Sequence, residues 1–439
     1  MQKAYPLQQN AAVLITVITL NLIDRKKMKK FALIGKNISY TLSPEIHAEF
    51  GLDYRALEIE DESALANVLS SGGYDGFNVT IPYKQAVMPL LDEIEDTARK
   101  IGAVNTVIKK AGRLIGCNTD FFGMSAALRR AGISLRGKHV LILGTGGAAL
   151  TACALSLEEG AASAFKVSRS GSLNYQNCYD LKDTEIIINA TPCGTAADWD
   201  NAPIAPARFP KLTAVFDAVY NPIKTRLLYE AEKIGVKVEN GLFMLVAQAK
   251  AARDLFTASA APEELTESVL KKLISRLSNI VLVGMPSSGK SETARIIAGL
   301  SGRELVDTDA EIERREGKII SQIFGENGEE YFRKLESEVV EAASGGFKKV
   351  IATGGGAVLS EKNRRALKRN SKVYFIEREL DALSTEGRPL SKDLETLKKM
   401  YAERRTLYLD CCDAVVYNIG TVQKLAKEII KLHEESFSD

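Results

Sequence analysis

From Lys30 onward the chain alternates between two hydrophobic rhythms. Short apolar or alternating runs suit strands, and segments whose apolar residues recur every third or fourth position suit helices. "KFALIG" (30–35) predicts a strand ending at Gly35, and "SPEIHAEFG" (43–51) a helix with Ser43 as N-cap and Pro44 at its first position. "YRALEIE" (54–60) alternates as a strand, and "DESALANVLSSG" (61–72) reads as a helix closed by glycine. "YDGFNVTIPYK" (74–84) is a strand stopped by Pro82. A second series opens at "HVLILGTGGAAL" (139–150), with further strands in "AFKVSRS" (164–170), "TEIIINAT" (184–191) and "AVFDAVY" (214–220). Residues 241–256 and 262–277 read as helices, and "NIVLVG" (279–284) starts a third α/β unit after a very short join. Strand–helix alternation throughout predicts the α/β class, with largely parallel sheets covered by helices.

Length and composition change this picture little. A chain of 439 residues, 45% apolar and 26% charged, fits two or three globular domains. The formal charge of +2 supplies no pull toward nucleic acid. No run is apolar and long enough to span a bilayer. The stretch 11–23 resembles a signal h-region but lacks a basic n-region beyond Lys3 and an A-x-A cleavage site, and "MKKFALIG" makes a fresh start at Met28. Residues 1–27 are therefore expected to be an extension outside the working fold. The six cysteines show no zinc spacing, which fits reduced thiols in the cytoplasm.

Two glycine turns carry chemistry. Gly144, Gly146 and Ala149 fit G-x-G-x-x-A between a strand and a helix, the arrangement that seats a pyrophosphate on a helix N-terminus. Arg169 stands where an NAD binder usually has an acidic residue, which suits a 2′-phosphate; a solvated surface arginine fits that residue alone equally well. "GMPSSGKS" (284–291) matches the P-loop pattern at every position, with Lys290 placed for the β- and γ-phosphates and Ser291 for Mg²⁺. Beside it, "ELVDTD" offers Asp307 and Asp309, "EYFRKLESE" offers Arg333, "YAERRTLY" offers Arg404, "VIATGGGAV" ends a strand in three glycines, and "STEGRPL" puts Arg388 in a lid-like loop.

"SPEIH", "NVTIPYK", "GAVNTV", "CNTDFFG", "GTGGAA", "INATP", "FDAVYNPIKTRLL" and "GLFMLVAQA" occur in this order over residues 29–275. Together they resemble the shikimate dehydrogenase family. The resemblance implies a substrate domain at 28–123, to which helices within 241–275 return, and a Rossmann NADP-binding domain at 124–240. It also implies NADPH-dependent reduction of 3-dehydroshikimate. By motif, Lys84 and Asp120 become the catalytic pair, while Thr41, Ser43, Thr80, Asn105, Tyr220 and Gln248 line the substrate pocket. Gly144, Thr145, Gly146, Gly147, Ala148, Arg169, Ser170, Asn189, Gly241 and Met244 meet the cofactor. Tyr40 and Thr41 depart from the family's usual histidine and serine, which keeps quinate open as an alternative substrate, and Leu173 replaces a common second arginine, which softens NADP preference.

Residues 276–439 resemble shikimate kinase through GKS, DTD, FRxxE, GGG, RPL and ERRxLY. That resemblance implies a P-loop fold of the nucleoside-monophosphate-kinase type, with Asp309, Arg333, Gly355, Gly356 and Arg404 on shikimate. Gly284, Ser287, Ser288, Gly289, Lys290 and Ser291 would hold ATP, Arg388 would close over it, and Ser291 with Asp307 would hold Mg²⁺. Lys290, Asp309 and Arg388 are the expected catalytic groups. The expectation for the whole chain is a bifunctional, small-molecule enzyme using NADP(H), ATP and Mg²⁺, a monomer or homodimer without nucleic-acid or membrane partners. A kinase-like half kept only for binding is the rival.

Overall fold

The computed structural model describes residues 29–39, 41–382 and 394–437. The chain divides into two compact units, one of residues up to Thr119 plus Ala249–Ala260, the other of Asp120–Gln248 and Ala261 onward.

The first unit holds β1 (Lys30–Gly35), α1 (Ser43–Glu49), β2 (Asp53–Glu58), α2 (Leu65–Ser70), β3 (Gly76–Val79), β4 (Glu93–Ile94), α3 (Asp96–Ile101), β5 (Thr106–Lys110) and β6 (Arg113–Cys117). Its sheet runs β2-β1-β3-β5-β6-β4. β1 pairs in parallel with β2 and β3, but β5 runs antiparallel to both β3 and β6. The sheet is therefore mixed rather than parallel throughout. Part of the cause is local: Ala111 and Gly112 both take positive φ, 49° and 78°, in the turn that folds β5 and β6 into a hairpin, and the rest is the long-range pairing of β5 with β3. Ser43 is the first residue of α1 and not its cap, because Leu42 takes the N-cap position without a side-chain bond. Phe256 stacks on Phe31 with centroids 4.5 Å apart and anchors 249–260 to this sheet.

The second unit begins with α4 (Thr119–Arg130), which leaves the first at its second residue. There follow β7 (His139–Leu143), α5 (Gly147–Glu158), β8 (Ser163–Val167), β9 (Ile186–Asn189), β10 (Ala214–Asp217), α6 (Arg226–Lys233) and β11 (Lys237–Asn240). They form the parallel sheet β11-β10-β9-β7-β8. α7 (Gly241–Thr257) and α8 (Glu264–Leu277) come next. The sequence reading sends both helices back to the substrate domain, but only 249–260 belong there. α8 stays with the second unit because Glu267 meets Arg130 at 2.7 Å and because Arg303 donates to the carbonyls of Ser275 and Ser278.

One residue after α8 the third sheet starts. Its elements are β12 (Asn279–Val283), α9 (Lys290–Ser301), β13 (Glu304–Asp307), α10 (Thr308–Glu316), α11 (Ile320–Ser344), β14 (Lys349–Ala352), α12 (Glu361–Lys368), β15 (Ser371–Glu377), α13 (Leu394–Cys411), β16 (Ala414–Tyr417) and α14 (Val422–Glu435). The order is β13-β14-β12-β15-β16, all parallel. Every residue of β12 is buried, which explains its unbroken apolar run. α11 is broken at Gly328, whose φ is 82°. None of the six cysteines is in a disulfide. Among the described residues no helix is long and apolar enough to cross a membrane.

Candidate active sites

In the first unit the sequence-predicted residues gather at the ends of β1, β3 and β5. Thr41 Oγ1 lies 3.1 Å from Ser43 Oγ at the entry to α1. Thr80 follows β3 and donates its N–H to Ile34 at 2.9 Å. A Cβ at Gly35 would stand 2.5 Å from Thr80 Cγ2, so glycine there lets the end of β3 close in. Lys84 is half-buried, and its carbonyl accepts from Val104 N at 2.8 Å. Asn105 is 3% exposed; its Oδ1 accepts from Thr119 N at 2.7 Å and its Nδ2 donates to Thr119 Oγ1 at 3.0 Å. Buried Asn78, which opens NVTIPYK but is given no role there, supports that network by donating to Thr106 Oγ1 and accepting from Tyr54.

The remaining residues that the first resemblance singles out lie in the second unit. Asp120 is buried in the first turn of α4. Three residues on, a Cβ at Gly123 would stand 2.7 Å from the Met244 carbonyl and 2.8 Å from Gln248 Cβ. This glycine lets α4 cross α7 closely, and so brings Asp120's helix to Met244 and Gln248. Gly241 opens α7 against the Ala218 carbonyl, a gap that no Cβ could share. Its identity thus has a packing cause whatever it binds.

The first glycine turn has the expected shape. Gly144 takes φ 111° and accepts no side chain without approaching Ala190 O and Thr191 Cγ2, each at 3.1 Å. Gly146 is the N-cap of α5, with open space where its side chain would be. Thr145, Gly147 and Ala148 complete the turn onto the helix N-terminus. Arg169 and Ser170 are exposed just past β8. Asn189 is fully buried: its amide donates to Asp217 Oδ1 at 2.9 Å and its Oδ1 accepts from Thr191 Oγ1 at 2.7 Å. It shapes the turn facing Gly144. Asp217, which periodicity alone marks only as a strand end, accepts from Asn189, Val219 and Thr225, yet burial pushes its carboxyl up to about 6.

The second glycine turn and its neighbours form the most developed site. Gly284 and Gly289 have φ of 148° and 97°, and Ser287 follows with 63°. Lys290 is 7% exposed and donates to the carbonyls of Gly284 and Met285 at 3.0 and 2.8 Å, curled into the loop it would leave for a phosphate. Ser291 is exposed on the first turn of α9. Asp307 ends β13 and caps α10 by accepting from Asp309 N at 3.1 Å and Ala310 N at 3.3 Å. The three glycines after β14 let Asp309, Glu336, Pro286 and Arg333 crowd together. A Cβ at Gly354 would sit 2.6 Å from Asp309 Oδ1 and 2.9 Å from Glu336 Oε1, and one at Gly355 2.7 Å from Pro286 Cδ. A Cβ at Gly356 would collide with the Arg333 guanidinium. Arg333 pairs with Glu336 at 2.8 Å and Glu329 at 2.9 Å, while Arg404 and Tyr408 donate to the Gly355 carbonyl at 3.2 and 2.5 Å. Glu336 is 1% exposed, and burial raises its carboxyl against the opposing pull of Arg333. Glu336 and Tyr408 close the FRxxE and ERRxLY motifs, where helical spacing sets them on the same face as Arg333 and Arg404. Arg388 and Tyr40 lie outside the described residues.

Comparisons with known proteins follow the same division. The family model for the shikimate dehydrogenase substrate binding domain matches residues 33–107, and that for shikimate kinase matches 286–434. A shikimate dehydrogenase (NADP(+)) of Clostridium perfringens is 33% identical over 268 residues, covering 56% of this chain and 98% of the relative. One from Caldicellulosiruptor bescii is 37% identical over 255 residues, covering 51% and 87%. Among solved structures, shikimate dehydrogenase 1 from Peptoclostridium difficile aligns with TM-score 0.53 and 30% identity, over 56% of this chain and 98% of that one. A chorismate mutase/shikimate 5-dehydrogenase fusion protein from Clostridium acetobutylicum aligns with TM-score 0.54 and 30% identity, over 56% and 97%.

Proposed function

The chain belongs to the shikimate dehydrogenase family and carries a shikimate kinase domain behind it, and from that premise we propose how its residues run two successive reactions. The first reduces 3-dehydroshikimate to shikimate with NADPH. The second transfers the γ-phosphoryl of ATP to the 3-hydroxyl of shikimate. The product of one half is the substrate of the other.

In the reduction, hydride reaches the carbonyl carbon from the nicotinamide and a proton must reach the oxygen. Lys84 is the proposed donor, and Asp120 the second catalytic group. Thr41, Ser43, Thr80, Asn105, Tyr220 and Gln248 are proposed to hold the ring acid. The Gly144–Ala148 turn would seat the pyrophosphate, with Arg169 and Ser170 on the 2′-phosphate.

The observation that carries the kinase reading is the glycine run. Gly354–Gly356 leave no room for side chains because Asp309, Glu336, Pro286 and Arg333 occupy it, in the same sheet as the P-loop. A carboxylate to accept the hydroxyl proton and arginines to grip a small carboxylate are what phosphorylation of a ring acid requires. Asp309 is the proposed proton acceptor, Arg333 and Arg404 the carboxylate grip, and Lys290 the phosphate ligand. Mg²⁺ would neutralise phosphate charge, held by Ser291 and Asp307. We further propose a cytoplasmic enzyme, monomeric or homodimeric.

A coupled assay tests this. Full-length protein given 3-dehydroshikimate, NADPH and ATP with Mg²⁺ should form shikimate 3-phosphate, and none without NADPH. NADPH oxidation without phosphorylated product would reduce the second half to a binding module. Equal rates with quinate and NAD would favour the relaxed dehydrogenase.

A further inference from the structure

We infer that the kinase half braces the Rossmann half at two turns, residues 196–201 and 221–225, and thereby holds the stretch that carries Tyr220. The role given to Tyr220 rests on the proposed dehydrogenase reading; the dock itself does not.

The anchor is Trp199, the chain's one tryptophan. It precedes α6 by sequence, yet it is 7% exposed because it packs with Val340, Ala343 and Leu367 of the kinase core. Its indole N–H donates to Glu341 Oε1 at 3.0 Å. The Arg369 guanidinium lies over its ring, 4.6 Å from the centroid. Arg369 is 4% exposed and donates to the carbonyls of Ser344 and Glu341 at 2.8 and 2.6 Å. A buried arginine bound to carbonyls needs an electron-rich face nearby, and the indole supplies one.

Around this anchor the contacts involve backbone. Lys224 N donates to the Arg369 carbonyl and Ile223 N to Asn370 Oδ1, both at 2.9 Å. Asn370 is 1% exposed, and its carbonyl accepts from Asn279 N at the start of β12, the P-loop strand. On the other side Ala196 N donates to the Asn221 carbonyl at 3.0 Å, tying the two turns together. Thr225 Oγ1 donates to Asp217 Oδ2 at 2.7 Å and carries the connection to the C-terminal end of β10, beside Asn189. Asp200 is gripped from both sides: its carboxylate by Arg365 at 2.8 Å and its carbonyl by Arg226 at 2.6 Å. The space left between Trp199, Thr225, Arg226, Tyr229 and Arg365 is about 10 Å³, room for one water and no ligand. Aromatic anchor, buried arginine and paired amides are the features of a stable interface, not of a passing contact.

Because Trp199 is the only indole, the intact protein reports on the dock directly. Wild-type emission should be blue-shifted and poorly quenched by acrylamide. Arg365→Glu, which faces Asp200 with a like charge, should raise quenching and raise KM for 3-dehydroshikimate at least about three-fold, with a smaller change in kcat and an unchanged kinase rate. Asp200→Arg combined with Arg365→Glu should restore both. Solvent-like quenching of wild-type Trp199 would overturn the dock. Raised quenching with an unchanged KM would overturn the brace. Protected Trp199 in a protein that reduces no 3-dehydroshikimate would leave the dock standing and refute the dehydrogenase reading instead.

Discussion

At the scale of single residues, crowding distinguishes glycines that look alike in the sequence. Gly356→Ala places its methyl on the end of a flexible arginine, so the fold should tolerate it while Arg333 swings away. The expected result is a KM for shikimate raised about ten-fold or more in the kinase assay, with the dehydrogenase rate unchanged. Wild-type KM would mean that Arg333 does not hold the acid. Lys290→Ala removes the group curled into the P-loop and should lower the phosphorylation rate by about 10² or more, again sparing reduction. Lys84→Ala should do the opposite, with NADPH oxidation falling by about 10² and phosphorylation of added shikimate intact. Lys290 is marked by a complete P-loop pattern, whereas Lys84 is marked only within NVTIPYK. In the folded loop Lys290 already donates to the carbonyls of Gly284 and Met285.

At the scale of elements, the same side chain can serve structure and chemistry, and substitution separates the two. Asp307 ends β13 and caps α10. Asp307→Asn keeps an oxygen for the cap and removes the charge, so thermal stability should stay close to wild type while the Mg²⁺ requirement of the kinase rises. Asp307→Ala should lose about 1 kcal/mol in denaturant unfolding as well. If Asn and Ala variants need the same Mg²⁺ as wild type, Asp307 only caps. Gly241 behaves differently, since its would-be side chain meets backbone at Ala218 rather than a movable group. Gly241→Ala should destabilise the second unit by about 1–3 kcal/mol, read as a lower denaturant midpoint.

At the scale of the whole molecule, buried titrating groups set how each unit meets acid. His47 is fully buried against Tyr54, and burial holds its pKa at about 3. A depressed histidine contributes stability that is present above its unfolded value near 6.5 and lost as pH falls toward 3, at about 1.4 kcal/mol per pH unit. His433 has the same sign in the second unit, where burial again sets a value of about 3. There it is opposed by Asp217 and Glu239, which burial raises to about 6 and about 7. Raised carboxyls add stability that is complete below their unfolded values and lost as pH rises through the folded ones. Acidification from pH 7.5 to 5 should therefore loosen the first unit more than the second. Amide exchange in β1–β3 should accelerate relative to β7–β10; equal acceleration in both would contradict these assignments.

Local pattern was enough for much of this molecule. Unbroken apolar runs placed β1, β7 and β12, which are buried along nearly their whole length, and helical spacing placed α1, α2, α7 and α8. Both glycine turns were legible because strained φ leaves few alternatives to glycine. What needed tertiary structure was every decision made by distant chain. β5 settled antiparallel against β3 and turned the first sheet mixed, and α8 joined the second unit through Arg130 and Arg303. Glu336 became part of a site only when Gly354 drew it toward Asp309. Trp199 finds its burial only where α11 and α12 of the kinase part close around it. Sequence determined which segments are strands, helices and phosphate turns, since those depend on neighbours along the chain. Which turn is braced, which carboxyl is buried and which glycine is indispensable depended on neighbours through space, which no window of residues contains.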